Sequence, residues 1–483
     1  MRRRTALQRL QIVQAVVVVL ALAWLVSLPR LLFQRATAAA MADDHLPTSL
    51  AALRAYATTD DDALERRLFS WTDASCGPKC QRARWTGRGI ALTCGDMQVP
   101  MLLPLLITLR SQLGCALPIV VFYLGNDDLS PASRALLVAH VRNLTVVDLH
   151  SLYAADALGN VNGYCAKNFA LYASPFRETI MFDSDSLFFQ SPDALLDDVE
   201  FKNTGSIFFH DLITQPWDKT YGESVIAWLH ALAPDISADS VARSRVLSGI
   251  DAESDVDTSF LAYDKQRRFF SMMAAVKLCE PDVFRVFTTV RFLGDKETHW
   301  LGALLVGEPF PHIVPGDAHL IGRARPFDMF CGSQLHLDRG GRPFHANSSP
   351  FLDKFHPRIG YVNASVYATV RPGVSKYKGF QTQRSGADLT GALLDTSLLK
   401  AHCYTGVSLS PMDGGGVLQA QISAMEALKQ VTPAALWQQE SARKSSPRVW
   451  TNTRTRTRLN WAEVDELAAW RRRKAAAQLY NRR

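Results

Sequence analysis

The sequence predicts an α/β protein with a mainly parallel central sheet, preceded by a single N-terminal membrane-spanning helix. Three observations predict this. Beyond Trp85, short apolar runs alternate with amphipathic stretches, the pattern that βαβ units leave in a chain. One apolar run, Thr179 to Phe182, ends in two carboxylates, Asp183 and Asp185, and open α/β sheets bind ligands at the carboxyl ends of such strands. Near the N-terminus, Ile12 to Leu28 carries only Gln14 and Ser27 as polar interruptions and continues through Pro29 and Arg30 into Leu31, Leu32 and Phe33, which is at the short end of a membrane span.

The elements follow in order. Gly89 to Thr93 reads as a strand, Met101 to Leu113 as a helix, and Pro118 to Leu124 as a buried strand. A helix around Ala132 to Val141 and a strand at Leu144 to Leu149 come next. Cys165 to Phe176 is helical in pattern and Thr179 to Phe182 is the strand that carries the acids. Gly205 to Phe209 and Ser259 to Tyr263 are further strands, and Arg268 to Leu278 a helix. A chain of 483 residues, 47% hydrophobic and 20% charged, can bury the core that this plan needs.

The N-terminal run is flanked by Arg2, Arg3, Arg4 and Arg9 before it and by Arg30 and Arg35 after it, so the positive-inside bias keeps the N-terminus cytosolic. Residues 1–9 then form a cytosolic tail, 10–33 the anchor, 34–84 a stem, 85–416 a lumenal domain, and 417–483 a helical and basic tail. The competing reading is a cleaved leader, since Ala36 to Ala40 holds small residues in A-x-A spacing. The apolar run exceeds the usual leader core of about 7–15 residues, which favours the anchor.

Both readings imply an oxidising compartment, and the eight cysteines all follow the anchor. Lumenal disulfides fit them; buried free thiols are the alternative for any one of them. Cys76 and Cys80 have a zinc-like spacing, but no second Cys or His pair follows at the required distance. Acceptor sequons stand at Asn143, Asn347 and Asn363. The net charge of +7 comprises +4 in residues 1–9 and +9 in residues 442–483, leaving −6 between them. The basic tail would face the lumen, where nucleic acid is absent, so it reads as a solvated or membrane-surface segment.

The stretch Arg177 to Pro192 concentrates the chemistry. Two carboxylates one residue apart, at the end of a buried strand, need a counter-charge. A divalent cation on a diphosphate supplies one, and hard oxygen ligands suit Mn²⁺ or Mg²⁺. Lys167, near the start of the preceding helix, can bring an ammonium to the same place, or it can be a surface lysine. Gly294 to Trp300 holds Asp295, Lys296, Glu297 and Trp300, acids to meet sugar hydroxyls and an aromatic ring to stack on a sugar; a solvated helix start is the plainer reading.

Several blocks in order resemble the fungal Golgi α-1,3-mannosyltransferase family: Gly87 to Gly95, Leu117 to Ile119 with Asp127 to Leu129, Cys165 to Asp185, Thr204 to Phe209, Gly294 to Trp300, and Cys331 to His336. They cover about residues 85–350. The resemblance implies a GT-A-like nucleotide-sugar-binding domain, a GDP-mannose donor, Mn²⁺ dependence, a glycan or glycoprotein acceptor, a type II Golgi membrane topology, and a retaining transfer that forms an α-linked mannoside. Asp183 and Asp185 become metal and donor ligands, Asp295 and Glu297 the catalytic acids, and Lys167 a donor-binding cation. A late motif, Gln334 to His345, adds His336 as the third metal ligand, with His345 its rival, and Arg342 as a diphosphate-binding group. Two departures stand near the expected acceptor side: Glu253-Ser254-Asp255, where the family tends to have a glycine after the serine, and His210-Asp211-Leu212 in place of a basic pair. A UDP-sugar transferase and an inactive, membrane-anchored glycan-binding protein are the other readings; the intact acid pair counts against the latter.

Overall fold

The computed structural model describes residues 45–72, 76–153, 163–212, 235–248, 254–284, 295–315, 318–325, 329–347, 366–370, 402–405 and 407–411, with a few single positions among and after them. The apolar run Ile12 to Leu28, Asn363 and the basic tail lie outside these residues. Among the described residues no helix is long and apolar enough to cross a membrane.

The chain opens with three helices, α1 (His45–Thr58), α2 (Asp62–Leu68) and α3 (Pro78–Arg84). It continues through β1 (Arg88–Thr93), α4 (Val99–Ser111), β2 (Ile119–Tyr123), α5 (Pro131–His140), β3 (Leu144–Asp148), α6 (Ala166–Ala173) and β4 (Glu178–Phe182). Next come β5 (Ser186–Phe188), α7 (Val199–Thr204), β6 (Ser206–His210), α8 (Ala238–Arg243), β7 (Val256–Asp264), α9 (Phe269–Leu278) and α10 (Thr298–Val306). Short and longer strands close the described chain: β8 (Ile313–Val314), β9 (Ala318–Arg325), β10 (Met329–Leu337), β11 (Pro343–Asn347), β12 (Val366–Val370), β13 (His402–Thr405) and β14 (Ser408–Pro411). The strands and helices expected between Gly89 and Leu278 are present, within a few residues at each end; β7 is longer than expected because its whole length is buried.

Among the described residues the first sheet has the order β3-β2-β1-β4-β7-β6-β8. All its strands run one way except β7, which is antiparallel to β4 and β6. Both faces are covered, as a mainly parallel sheet requires. Alternate residues feed opposite cores: Ile180 and Phe182 of β4 enter one cluster with Leu92, Leu102 and Phe260, while Met181 enters the other with Ala91, Leu261 and Tyr263. Glycine at 302 lets α10 lie directly on α9: a Cβ there would stand 2.7 Å from Ser271 O and 3.0 Å from Ala275 N, backbone atoms that cannot swing aside.

Two features differ from the expectation. Residues 45–71, expected within a stem, contribute Leu50, Leu53, Tyr56, Leu64, Leu68, Phe69 and Trp71 to the larger core cluster. Each fully buried apolar side chain of this size stabilises by about 1.5–3 kcal/mol, so in the structure this segment belongs to the packed body and is no detached spacer. Second, the late strands form a separate sheet, β14-β12-β9-β10-β11-β5, with β13 paired to β10. It is antiparallel throughout. β9, β10 and β11 are joined by short connections, which let successive strands pair as antiparallel neighbours.

Cys76 pairs with Cys80 and Cys165 with Cys279, which removes the first pair from any zinc chemistry. Cys94 and Cys115 are free and buried. The register of β10 and β13 sets Cys331 opposite Cys403.

Candidate functional site

The site gathers at the carboxyl end of β4. Three residues, 183–185, separate β4 of the first sheet from β5 of the second. Asp183 N donates to Ser259 O at 3.0 Å, which ties this acidic loop to β7. Helix α6 runs up to the same edge and presents Lys167 from its first turn.

Lys167 is buried with its Nζ 2.9 Å from Asp183 Oδ1 and 3.1 Å from Asp295 Oδ2. It also donates to Thr258 O at 3.2 Å. Burial alone would lower its pKa, but Asp183 and Asp295 outweigh it and raise the value, so the ammonium stays charged. Asp183 is about a third exposed, while Asp295 and Asp185 are buried. Burial pushes the Asp183 carboxyl up to about 6, and Asp185 and Asp295 add to the rise against the pull of Lys167. Asp183 and Asp295 therefore share one ammonium, and with Asp185 beside Asp183 the arrangement carries an excess of negative charge at its open edge.

A second set of charges lies beside the first. Asp295 and Lys296 are consecutive and part company: Asp295 turns inward to Lys167, while Lys296, a third exposed, reaches Asp211 at 2.6 Å. Asp257 accepts from Ser259 N at 2.9 Å and from Ser259 Oγ at 2.7 Å, and lies 2.8 Å from His336 Nε2. Burial would raise its pKa, but His336, Lys296 and Ser259 overcome this and hold the carboxyl far below the usual range. His336 stacks on Phe209 and on His345, its cross-strand neighbour.

The structure thus brings Lys167, Asp183, Asp185 and Asp295 to one edge and gives the other expected residues different partners. His336 is held by Asp257, and the rival His345 has its Nε2 3.0 Å from Ser186 Oγ. Among the described residues no group of three or more His, Cys, Asp or Glu side chains is arranged to hold a metal ion. Glu297 is buried on another side, where it accepts from Trp300 Nε1; burial first and Asp255 second push it up to about 8. Trp300, offered above to a sugar ring, is wholly buried against Phe310 and cannot meet one in this structure. Arg342 stands in the exposed turn between β10 and β11, bound to Asp338 by its Nε at 2.9 Å and its Nη2 at 2.7 Å, a four-residue bridge that satisfies the turn instead of the acidic edge.

Asn143 is exposed in a turn with φ 54°, while Asn347 is half-buried at the end of β11, opposite Ser186 and beside the acidic loop. Asp255, one of the departures from the family pattern, is buried and accepts from Ser244 Oγ and Arg245 N, so it fixes the turn after α8. Asp257 was not singled out from the sequence, and Asp211 and Lys296 were named there without being paired with each other. An acid inside the apolar strand that ends at Tyr263 was the available signal for Asp257, since a buried charge needs a partner.

A buried cation shared by acids at the ligand-binding edge of an α/β sheet marks a site for a charged ligand. The chain belongs to the family described as "Mannosyltransferase putative", whose model matches residues 87–338. It is 26% identical over 290 residues to the alpha-1,3-mannosyltransferase MNT2 of Saccharomyces cerevisiae, covering 53% of this chain and 50% of that protein. It is 22% identical over 279 residues to the alpha-1,3-mannosyltransferase MNN1 of the same yeast, covering 50% and 35%. The match spans half or less of these relatives' own length. Among solved structures it is similar to the galactosyltransferase LgtC in complex with donor and acceptor sugar analogues, at TM-score 0.30 and 13% identity over 44% of this chain and 69% of that one. Core-mannan synthase A from Aspergillus fumigatus in its Mn/GDP form matches at TM-score 0.30 and 10% identity, over 45% and 69%.

Proposed function

We propose that this protein is a retaining mannosyltransferase with a GT-A-like catalytic domain, which moves mannose from GDP-mannose to a hydroxyl of a glycan and forms an α-linked, α-1,3 mannoside. The observation that carries the reading is the buried Lys167 held between Asp183 and Asp295 at the carboxyl end of β4. Family membership and the activity for which the yeast relatives are named support the sugar and the linkage.

The residues divide the work. Asp183 and Asp185 would hold Mn²⁺ or Mg²⁺ on the donor diphosphate: their negative excess over Lys167 and the partial exposure of Asp183 fit a hard divalent cation that takes its other ligands from phosphate and water. Held by these two acids, such a cation would supply positive charge to the diphosphate. Lys167 orients Asp183 and Asp295 by pairing with both. Asp295, buried against Lys167, would supply fixed negative charge beside the sugar site, where it would stabilise positive charge at the anomeric carbon. The bond from that carbon to the diphosphate breaks, its electron pair leaving with the diphosphate oxygen, as the acceptor oxygen bonds to the same face and passes its proton to that departing oxygen.

The proposed setting is the Golgi membrane, with residues 1–9 cytosolic, 10–33 spanning and the catalytic domain lumenal. Sealed Golgi vesicles should shield the region after residue 85 from added protease. The activity is tested by incubating the protein with a panel of nucleotide sugars, Mn²⁺ and oligomannoside acceptors. Transfer from GDP-mannose alone supports the reading, transfer from a UDP-sugar would replace the donor, and the absence of any hydrolysis or transfer would leave a glycan-binding role.

A further inference from the structure

Lys167 and Asp295 come from segments 128 positions apart, and something must hold them in register. The residue next to Lys167 does so. Asn168 is buried, and its Nδ2 donates to Thr298 Oγ1 at 3.0 Å and to Ala275 O at 2.9 Å, with Cys279 Sγ at 3.3 Å. Thr298 in turn donates its hydroxyl to Asp295 O at 2.7 Å and its amide to the same carbonyl at 3.0 Å. The chain Asn168–Thr298–Asp295 therefore runs from the first turn of α6 to the backbone of the acid that faces Lys167. On its other flank α6 is tied at Cys165 to Cys279, at the end of α9.

We propose that Asn168 is a positioning residue of the active site, acting through Thr298 to keep the Asp295 carboxylate against Lys167 and Asp183. The inference rests on the mannosyltransferase reading. Three features distinguish it from ordinary core packing. An apolar residue of similar volume would fill the space, yet the position holds an amide whose Oδ1 has no hydrogen-bond partner among the described residues. Its amide nitrogen bridges two elements, the C-terminal end of α9 at Ala275 and Cys279 and the start of α10 at Thr298. Thr298 has its oxygen used in both directions, as acceptor from Asn168 and donor to Asp295, so loss of either hydrogen bond loosens the same carbonyl.

The experiment uses the full chain with GDP-mannose, Mn²⁺ and an acceptor that the unaltered protein mannosylates. Asn168→Ala and Thr298→Val are each expected to lower kcat by about 10-fold to 100-fold, the usual cost of a misplaced catalytic group, with the donor KM within about twofold. Thr298→Ser, which keeps the hydroxyl, should retain most of the turnover. The double variant should be no slower than the worse single one, because both changes break one chain. If Asn168→Ala fails to fold, the contrast between Thr298→Val and Thr298→Ser carries the test. An undiminished kcat in Thr298→Val, a change confined to melting temperature, or losses that multiply in the double variant would overturn the inference. No transfer by the unaltered protein with any donor would sink the functional reading first, and this inference with it.

Discussion

His336 Nε2 lies 2.8 Å from Asp257 Oδ2, and both side chains are buried. The pair joins β10 of the antiparallel sheet to β7 of the mainly parallel one, so it fixes the imidazole at the seam where the acidic loop also lies. With the cation on Asp183 and Asp185, His336→Ala is expected to raise the Mn²⁺ concentration for half-activity by at least ~10-fold, whether the imidazole contacts the ion or orders its surroundings. An unchanged requirement there, with a shift in His345→Ala, would transfer the role to His345.

Asp183→Asn and Asp185→Asn should each lower kcat by about 100-fold or more while leaving the melting temperature close to that of the unaltered protein. The amide keeps the shape and removes the charge that balances cation and ammonium. For Asp183→Asn the remaining partner Asp295 still satisfies Lys167, which is why the fold should hold. Turnover near the unaltered level at saturating Mn²⁺ would remove the acid pair from the mechanism.

The buried acids give stability a definite pH dependence. Glu297 is pushed up to about 8 from 4.5 by burial and by Asp255. Between those values the folded protein keeps a proton that the unfolded chain has released, so stability falls as pH rises. His210 and His299, pulled down to about 3 and about 4 by burial, favour the folded state as pH rises, but only up to their ordinary value of 6.5. From pH 6.5 to 8 the Glu297 contribution stands alone among these groups, with a slope of up to about 1.4 kcal/mol per pH unit. Glu297→Gln, which can still accept from Trp300, should flatten that slope in thermal melts; an unchanged slope would contradict the assignment.

The two disulfides should differ in worth. Cys165–Cys279 closes a separation of 114 residues and Cys76–Cys80 one of 4. Loop-closure entropy sets their contributions at about 5 and about 2 kcal/mol. Denaturant titrations of the Cys165→Ala/Cys279→Ala and Cys76→Ala/Cys80→Ala variants should show the larger loss in the first; the reverse order would mean that local packing outweighs chain entropy here.

What the sequence disclosed follows from which forces are local. Strands such as Thr179 to Phe182 announced themselves because both faces are buried, and Asp183 and Asp185 were visible as charges where such a strand stops. Lys167 was visible only as a candidate, since its partner Asp295 is 128 positions away and nothing nearby in the chain encodes the pairing. Asp257 was missed because its meaning comes from His336, 79 positions later. The residue types of Glu297, Trp300 and Arg342 suit sugar and phosphate, but the partners they have in the structure were not legible: Trp300 donates to Glu297 inside the core and Arg342 pairs with Asp338 in a turn. Segment 45–71 resembled a spacer because its polar and charged residues mask the apolar face of α1 and α2.

The short link 183–185 also governs where the protein can be cut. The family match ends at residue 338, yet β5, the strand that follows Asp185, is held in its sheet by β11 at residues 343–347. A fragment trimmed to the matched region would strip the strand partner from Ser186, Leu187 and Phe188 and leave the acid pair anchored only from the side of β4, β7 and Lys167. Any minimal version for expression or crystallography should therefore start near residue 45, where the first core helix begins, and extend past Asn347.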